Sequence, residues 1–301
     1  MNYAAKILLF GEYGIILNSM ALAIPYPRFW GQFRFSNALS DNNSKTECES
    51  NIELKKLLTF FKTQTSKVRY INIELFENEI NQGLYFDSSV PVGSGLGSSA
   101  ALTAAIYERY LIQPHQIDYL LIKKELGAIE SCFHGKSSGF DPLVSLLKKP
   151  VMMDRNSSII TEIDLTPFLN KYTLFLIDTH SKGNTGELVN NFMKNYNRPD
   201  FKTVIDNEYI PIVNQVVKAV IESDFVSFDK FIVRYSEIQL SFFDTMIPQS
   251  MKSHFEYGIT SGEFYLKICG SGGGGYILGF ARERVKAESY FNLNHLDWMV
   301  V

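Results

Sequence analysis

The chain carries no excess of basic charge: 29 Lys and Arg stand against 32 Asp and Glu, for a formal net charge of -3, and no stretch concentrates cations. Nucleic-acid binders gather Lys and Arg on one face, so nucleic acid is not an expected partner. Cysteine is scarce as well. Cys48, Cys132 and Cys269 lie far apart without a Cys-x-x-Cys pair, and the five histidines form no His-x-x-x-His spacing. A zinc site therefore has no ligand pattern to build on, and the few thiols fit a reducing cytoplasm. Long hydrophobic runs are missing too. Ile7 to Phe10 is cut short by Gly11 and Glu12, and the uncharged stretch from Tyr13 to Pro27 is interrupted by Asn18 and Pro25. Neither a secretory leader nor a membrane span is expected, and no membrane partner.

What the chain does have is core-forming material. Apolar residues make up 46% of 301 positions, enough to bury a sizeable core without disulfide or metal staples. Ala4 to Phe10 reads as a buried strand, followed by an apolar run from Gly14 to Ile24. Phe29 to Phe35 and Ile71 to Phe76 alternate like strands, and Leu84 to Val90 is a further strand. Residues 36–51 read as a surface loop, and Glu53 to Phe61, Ser99 to Leu111 and His115 to Cys132 as helices. Pro150 to Met153 and Ile159 to Ile163 suggest a hairpin, and Tyr172 to Asp178 a buried strand. Helices over 200–222 and 224–243 precede the strands Phe264 to Ile268 and Tyr276 to Phe280. The aromatic-rich helix 224–243 is expected to be core or the interface of a homodimer. Strands early, helices in the middle and a strand pair late predict an α+β chain of two domains, 1–165 and 166–301.

Three segments stand out for chemistry. PVGSGLGSSAALTAAIY, from Pro91 to Tyr107, ends a strand with Gly93, Gly95 and Gly97 and opens an alanine-rich helix at Ser98 and Ser99. Glycines allow close backbone approach, and a helix start offers unpaired N–H groups, so the segment suits a phosphate; a plain serine N-cap is the alternative. It lacks the lysine of a Walker A loop, and no parallel strand follows to complete a dinucleotide site. KICGSGGGGYILGF, from Lys267 to Phe280, packs five glycines into six residues between apolar runs, more than a hairpin turn requires. GAIESCFHGKSSGFDP, from Gly127 to Pro142, carries Glu130, His134, Ser138 and Asp141, with Asp-Pro also readable as a helix start. In IDTHSKGNTGELV, Asn184 and Glu187 fit a capping box.

KILLFGEYGIILNSMALAIP at the N-terminus, PVGSGLGSSAA and KICGSGGGGY resemble the first, second and third motifs of the galactokinase, homoserine kinase, mevalonate kinase and phosphomevalonate kinase (GHMP) superfamily, in the same order and across almost the whole chain. KILLFGEYGIIL and HGKSSGFDP are most similar to mevalonate kinases. The resemblance implies a GHMP-kinase-like fold, with an N-terminal mixed-sheet ATP-binding domain and a C-terminal ferredoxin-like α/β sandwich. It implies ATP and Mg2+ as cofactors and a small hydroxylated metabolite, foremost mevalonate, as substrate. Position by position, it makes Lys6 and Asp141 catalytic and gives the magnesium ion to Ser99 and Glu130. Pro91, Gly93, Ser94, Gly95, Leu96, Gly97, Ser98, Ser99 and Ala100 would wrap the phosphates, supported by Gly272 and Gly273. Glu12, Tyr13, His134, Ser138, Lys182 and Thr185 would lie beside the substrate. Tyr13 stands where these kinases usually carry histidine, and Ser271 where alanine is common. Other kinases of the superfamily, phosphomevalonate kinase among them, and the related diphosphomevalonate decarboxylase are the alternatives.

Overall fold

The first strand, β1 (Tyr3–Phe10), reads YAAKILLF and is buried along nearly its whole length, as an unbroken apolar run of strand length requires. In this computed structural model, residues 1–36, 45–113 and 118–301 are described, the side chains of Lys45, Thr46, Cys48 and His134 excepted. The second strand, β2 (Ala21–Phe35), has two partners. Ala21 to Ala23 pair antiparallel with β4 (Val151–Met153), and Gly31 to Phe35 pair antiparallel with β3 (Leu84–Ser88). Pro25 and Pro27 fall between the two paired stretches, where a residue without an N–H cannot join a ladder. β5 (Ile159–Ile160) returns along β4, which gives the expected hairpin.

The chain forms two interleaved compact units. One comprises Met1–Lys6, Pro25–Pro91 and Gly97–Lys149; the other comprises Ile7–Ile24, Val92–Leu96 and Pro150–Val301. The sequence reading places one boundary near residue 165, whereas the packing changes hands at 149/150 and also within β1, within β2 and inside the first glycine-rich loop.

In the first unit, α1 (Lys45–Thr63), α2 (Ile73–Asn81), α3 (Ser98–Tyr110), α4 (Tyr119–His134) and α5 (Phe140–Leu147) accompany β3. Ala100, Ala101, Ala104 and Ala105 of α3 are fully buried, and their short side chains let neighbouring elements come close. Ala101, Ala104 and Ala105 share a cluster with Tyr3 and Phe86. Three expectations need correction here. Ile71 to Phe76 is not a strand: beyond a single bridge from Ile71 to Leu111, the Asn72 side chain caps α2 by accepting from the Leu75 N–H, and Phe76 and Ile80 bury one helical face. The apparent alternation was the start of an amphipathic helix, whose apolar residues recur four apart. The stretch read as loop, 36–51, already contains the first turns of α1 from Lys45; residues 37–44 lie outside the described residues. The helix expected from His115 is described from Tyr119, capped by Asp118, with 114–117 outside the described residues.

In the second unit, β6 (Thr173–Asp178), β7 (Tyr265–Ile268), β8 (Tyr276–Ala281) and β9 (Asp297–Val300) form an antiparallel sheet in the order β7-β8-β6-β9. Between β6 and β7 run α7 (Thr185–Tyr196), α8 (Pro199–Val204), α9 (Ile210–Ile221), α10 (Phe225–Phe242) and α11 (Lys252–Ser261), preceded by α6 (Thr166–Lys171); α12 (Arg284–Leu293) joins β8 to β9. That order is the ferredoxin-like β-α-β-β-α-β arrangement with an enlarged first crossover. The expected helix over 200–222 is present and runs continuously through a wider, π-helical turn at Ile205–Tyr209. Phe228, Ile232 and Tyr235 of α10 are buried, and Phe10 stacks on Phe280 and meets Phe228 and Tyr235 edge-on. The fold is α+β. Among the described residues, no helix is long and apolar enough to cross a membrane.

Candidate active site

Lys6 enters from β1 with its side chain 2% exposed, and its Nζ lies 2.7 Å from Asp141 Oδ2, whose side chain is 35% exposed. Both residues owe their place to glycine. A Cβ on Gly97 would stand 2.9 Å from Lys6 Cε, so the bare backbone there admits the lysine stem. Gly139, at φ +72°, is the N-cap of α5 and puts Asp141 in that helix's first turn. A Cβ on Gly139 would overlap the Lys123 carbonyl oxygen of α4, and one on Gly127 would press on the Ser137 carbonyl. Two glycines thus bring the loop 135–139 onto the backbone of α4.

Glu130 projects from α4 one turn before its last residue, and is buried. Its Oε1 accepts from Ser99 Oγ at 3.1 Å and its Oε2 accepts from Ser137 Oγ. Burial pushes the Glu130 carboxyl up to about 7, reinforced by the negative charge of Asp141; hydrogen bonds from Ser137 and Ser99 and the charge of Lys6 pull the other way. Gly97, at φ +81°, begins α3 and has no side chain to cap it. Ser138 is exposed, and its Oγ accepts from the Phe140 N–H at 3.2 Å. The side chain of His134 lies outside the described residues.

Hard oxygen donors suit magnesium, which keeps several water or phosphate ligands. The hydroxyl of Ser99 and the carboxylate of Glu130 fit that requirement: they already share a hydrogen bond, and a buried carboxyl held near neutrality gains from a cation. Among the described residues, no cluster of three or more His, Cys, Asp or Glu could hold a metal alone, so water or phosphate oxygens would complete the shell.

The second unit holds the middle of the first glycine-rich loop against the glycine run that follows β7. A Cβ on Gly95 would overlap the Cys269 carbonyl, and one on Gly275 would overlap the Ser94 backbone. The Tyr276 N–H donates to the Ser94 carbonyl at 3.1 Å, and the Gly183 N–H donates to the Gly93 carbonyl at 3.3 Å. The run itself is tied down by Gly273 N–H to Met246 O and Gly275 N–H to Ser181 O, each 2.6 Å. Gly272 and Gly273, expected at the phosphates, therefore lie in a run that packs on Ser94 and Gly95. Thr185 Oγ1 is 3.0 Å from Ser271 Oγ, and both residues are partly accessible. Lys182 is exposed next to Gly93, and the Asn184 side chain caps α7 as its spacing with Glu187 predicts.

Two residues expected beside a substrate, Glu12 and Tyr13, are buried in the second unit. The Glu12 carboxylate is fully buried; it pairs with the equally buried Lys267 and accepts from Tyr235 Oη at 2.7 Å. Burial pushes Glu12 up, while Lys267 and then Tyr235 oppose it. Tyr13 is 4% exposed, and its hydroxyl donates to the Ser271 carbonyl at 2.5 Å. Sequence reasoning missed Ser137, Lys267 and Tyr235. Ser137 adjoins Ser138 in the quoted loop, and nothing in the spacing separates the two; Lys267 and Tyr235 lie more than 220 positions from Glu12 and carry no local signal.

Known proteins resemble this chain in sequence and in fold. Residues 64–149 match the family described as GHMP kinases N terminal domain. A protein named mevalonate kinase from Thermococcus onnurineus is 26% identical over 302 residues, covering 93% of this chain and 88% of its own. The crystal structure of L. major mevalonate kinase in complex with R-mevalonate superposes with a TM-score of 0.65 at 16% identity, covering 97% of this chain and 89% of that one. Streptococcus pneumoniae phosphomevalonate kinase, bound to phosphomevalonate and AMPPNP, gives 0.64 at 14% identity over 100% and 99% of the two chains. At such identities the structural likenesses speak for the fold.

Proposed function

We infer that this chain, which belongs to the GHMP kinase superfamily and is a small-molecule kinase, transfers the γ-phosphoryl group of ATP to the hydroxyl of mevalonate, forming 5-phosphomevalonate and ADP. The observation that carries the reading is the Lys6–Asp141 pair, with the lysine sealed, the aspartate half open and an uncapped helix start at Gly97 alongside the lysine.

Phosphoryl transfer asks the protein mainly for positioning and charge stabilisation. The N–H groups at the start of α3 supply donors for phosphate oxygens. Asp141 accepts the hydrogen bond of the substrate hydroxyl and directs its proton away from the attacking oxygen. Lys6, locked on Asp141, places a positive charge where negative charge builds on the transferred group. Magnesium, held by Ser99 and Glu130 with phosphate oxygens, would supply further neutralisation of the triphosphate.

Mevalonate is favoured over its phosphorylated relatives by the name of the curated relative and by the thin supply of cations near the first motif. Of the two arginines between Tyr13 and Arg34, Arg28 is exposed and Arg34 is paired with Asp87 at 2.9 Å. An ADP-release assay across mevalonate, phosphomevalonate, homoserine and galactose tests this. Mevalonate should be turned over fastest; preference for another acceptor, or no ADP release with any, would refute it.

A further inference from the structure

Glu12 and Tyr13 follow β1 in a tight turn that is buried rather than open. The Glu12 carbonyl accepts from the Gly14 N–H at 2.5 Å and from Tyr209 Oη at 2.9 Å. Its carboxylate is gripped by Lys267 and Tyr235, and Lys267 Nζ also donates to the carbonyls of Leu8 at 3.2 Å and Ile268 at 2.6 Å. Lys267 thereby ties this turn to β7, the strand that leads into the glycine run. Tyr13 adopts φ +58°, an uncommon angle for a residue with a bulky side chain and one that persists only where surroundings enforce it. Here the enforcement is visible: the ring stacks on Phe192 at 4.6 Å and on Phe243 at 5.6 Å, and the hydroxyl reaches the Ser271 carbonyl.

We propose that Tyr13, seated by the buried Glu12–Lys267 pair, is a positioning residue that holds the glycine run 270–275 in place. A run of five glycines is costly to order, so its tip needs fixed partners. Tyr13 provides one at Ser271, whose own hydroxyl meets Thr185. The run in turn backs Ser94 and Gly95 of the first glycine-rich loop. The catalytic consequence rests on the kinase reading above; the structural claim does not.

The test is Tyr13→Phe, which keeps the stacked ring and removes the donor. Amide hydrogen exchange without any ligand should quicken across 269–276 by about 5- to 10-fold, the worth of one hydrogen bond, and stay unchanged across 84–88. With ATP and mevalonate, kcat should fall by a similar factor while the acceptor KM holds. Tyr196→Phe, in the same aromatic cluster but with its hydroxyl on Asp206, should leave exchange at 269–276 and kcat alone. Unchanged exchange at 269–276 overturns the proposal, as does faster exchange without loss of kcat. A raised acceptor KM at constant kcat overturns it by making Tyr13 a substrate contact. If wild-type protein turns over no acceptor, the kinase reading fails by itself and the exchange measurement still decides the role of Tyr13.

Discussion

Lys6 with Asp141 and Lys267 with Glu12 use the same two kinds of charge in opposite settings. In the first pair the lysine is sealed while the aspartate remains 35% exposed; in the second both side chains are 0% exposed. Removing charges from water is costly, and a buried pair repays that only with further hydrogen bonds. Glu12 and Lys267 have them, from Tyr235 and to two backbone carbonyls. Asp141 keeps an open side, and its negative charge helps to raise the buried carboxyl of Glu130. Matching residue types thus sit in different settings, and exposure rather than pairing separates the proposed reacting site from the buried pair.

The largest expected effect lies at the open pair. Lys6→Met keeps the bulk of the stem and should lower turnover by roughly 10²–10⁴-fold while ATP still binds, as stopped assays and calorimetry would report; a pure loss of ATP affinity would make Lys6 a binding residue. At the sealed pair the damage should appear in stability. Lys267→Met strands the Glu12 carboxylate and should cost about 3–5 kcal/mol in urea unfolding, most of it regained in Glu12→Gln/Lys267→Met. Equal losses in the single and double variants would mean that the pair is not the cause.

A smaller effect concerns Glu130. A folded-state carboxyl held at about 7 keeps a proton that the unfolded chain releases near 4.5, so its contribution is present at low pH and is lost as pH rises through about 7. Ligand-free protein should lose on the order of 3 kcal/mol from this group over that range, and Glu130→Gln should flatten the profile. A profile identical in both proteins would place the proton elsewhere.

Much of the open site was legible because its residues sit in short, ordered segments. Lys6, Ser99, Glu130 and Asp141 were each named from motif position, and the structure brings Lys6 to Asp141 and Ser99 to Glu130. Local pattern also gave β1, the β4–β5 hairpin and the strands on either side of the glycine run. What escaped depends on tertiary packing. The alternation of Ile71 to Phe76 looked like a strand because the side chain that decides, Asn72, acts as a cap only once Phe76 and Ile80 have a core to enter. The burial of Tyr13 and Glu12 has no local signal either, because it depends on Phe192, Tyr235 and Lys267, distant in the chain.

The central claim is that Asp141 handles the acceptor hydroxyl beside Lys6. Its most direct test is a single-turnover reaction of ATP with mevalonate, products resolved by mass spectrometry, in wild-type and Asp141→Asn protein of equal melting temperature. The account predicts one phosphorylated mevalonate per ADP in the wild type and formation slowed by about 10²–10⁴-fold in the variant, with nucleotide binding retained. Product formation at the wild-type rate in Asp141→Asn would contradict it.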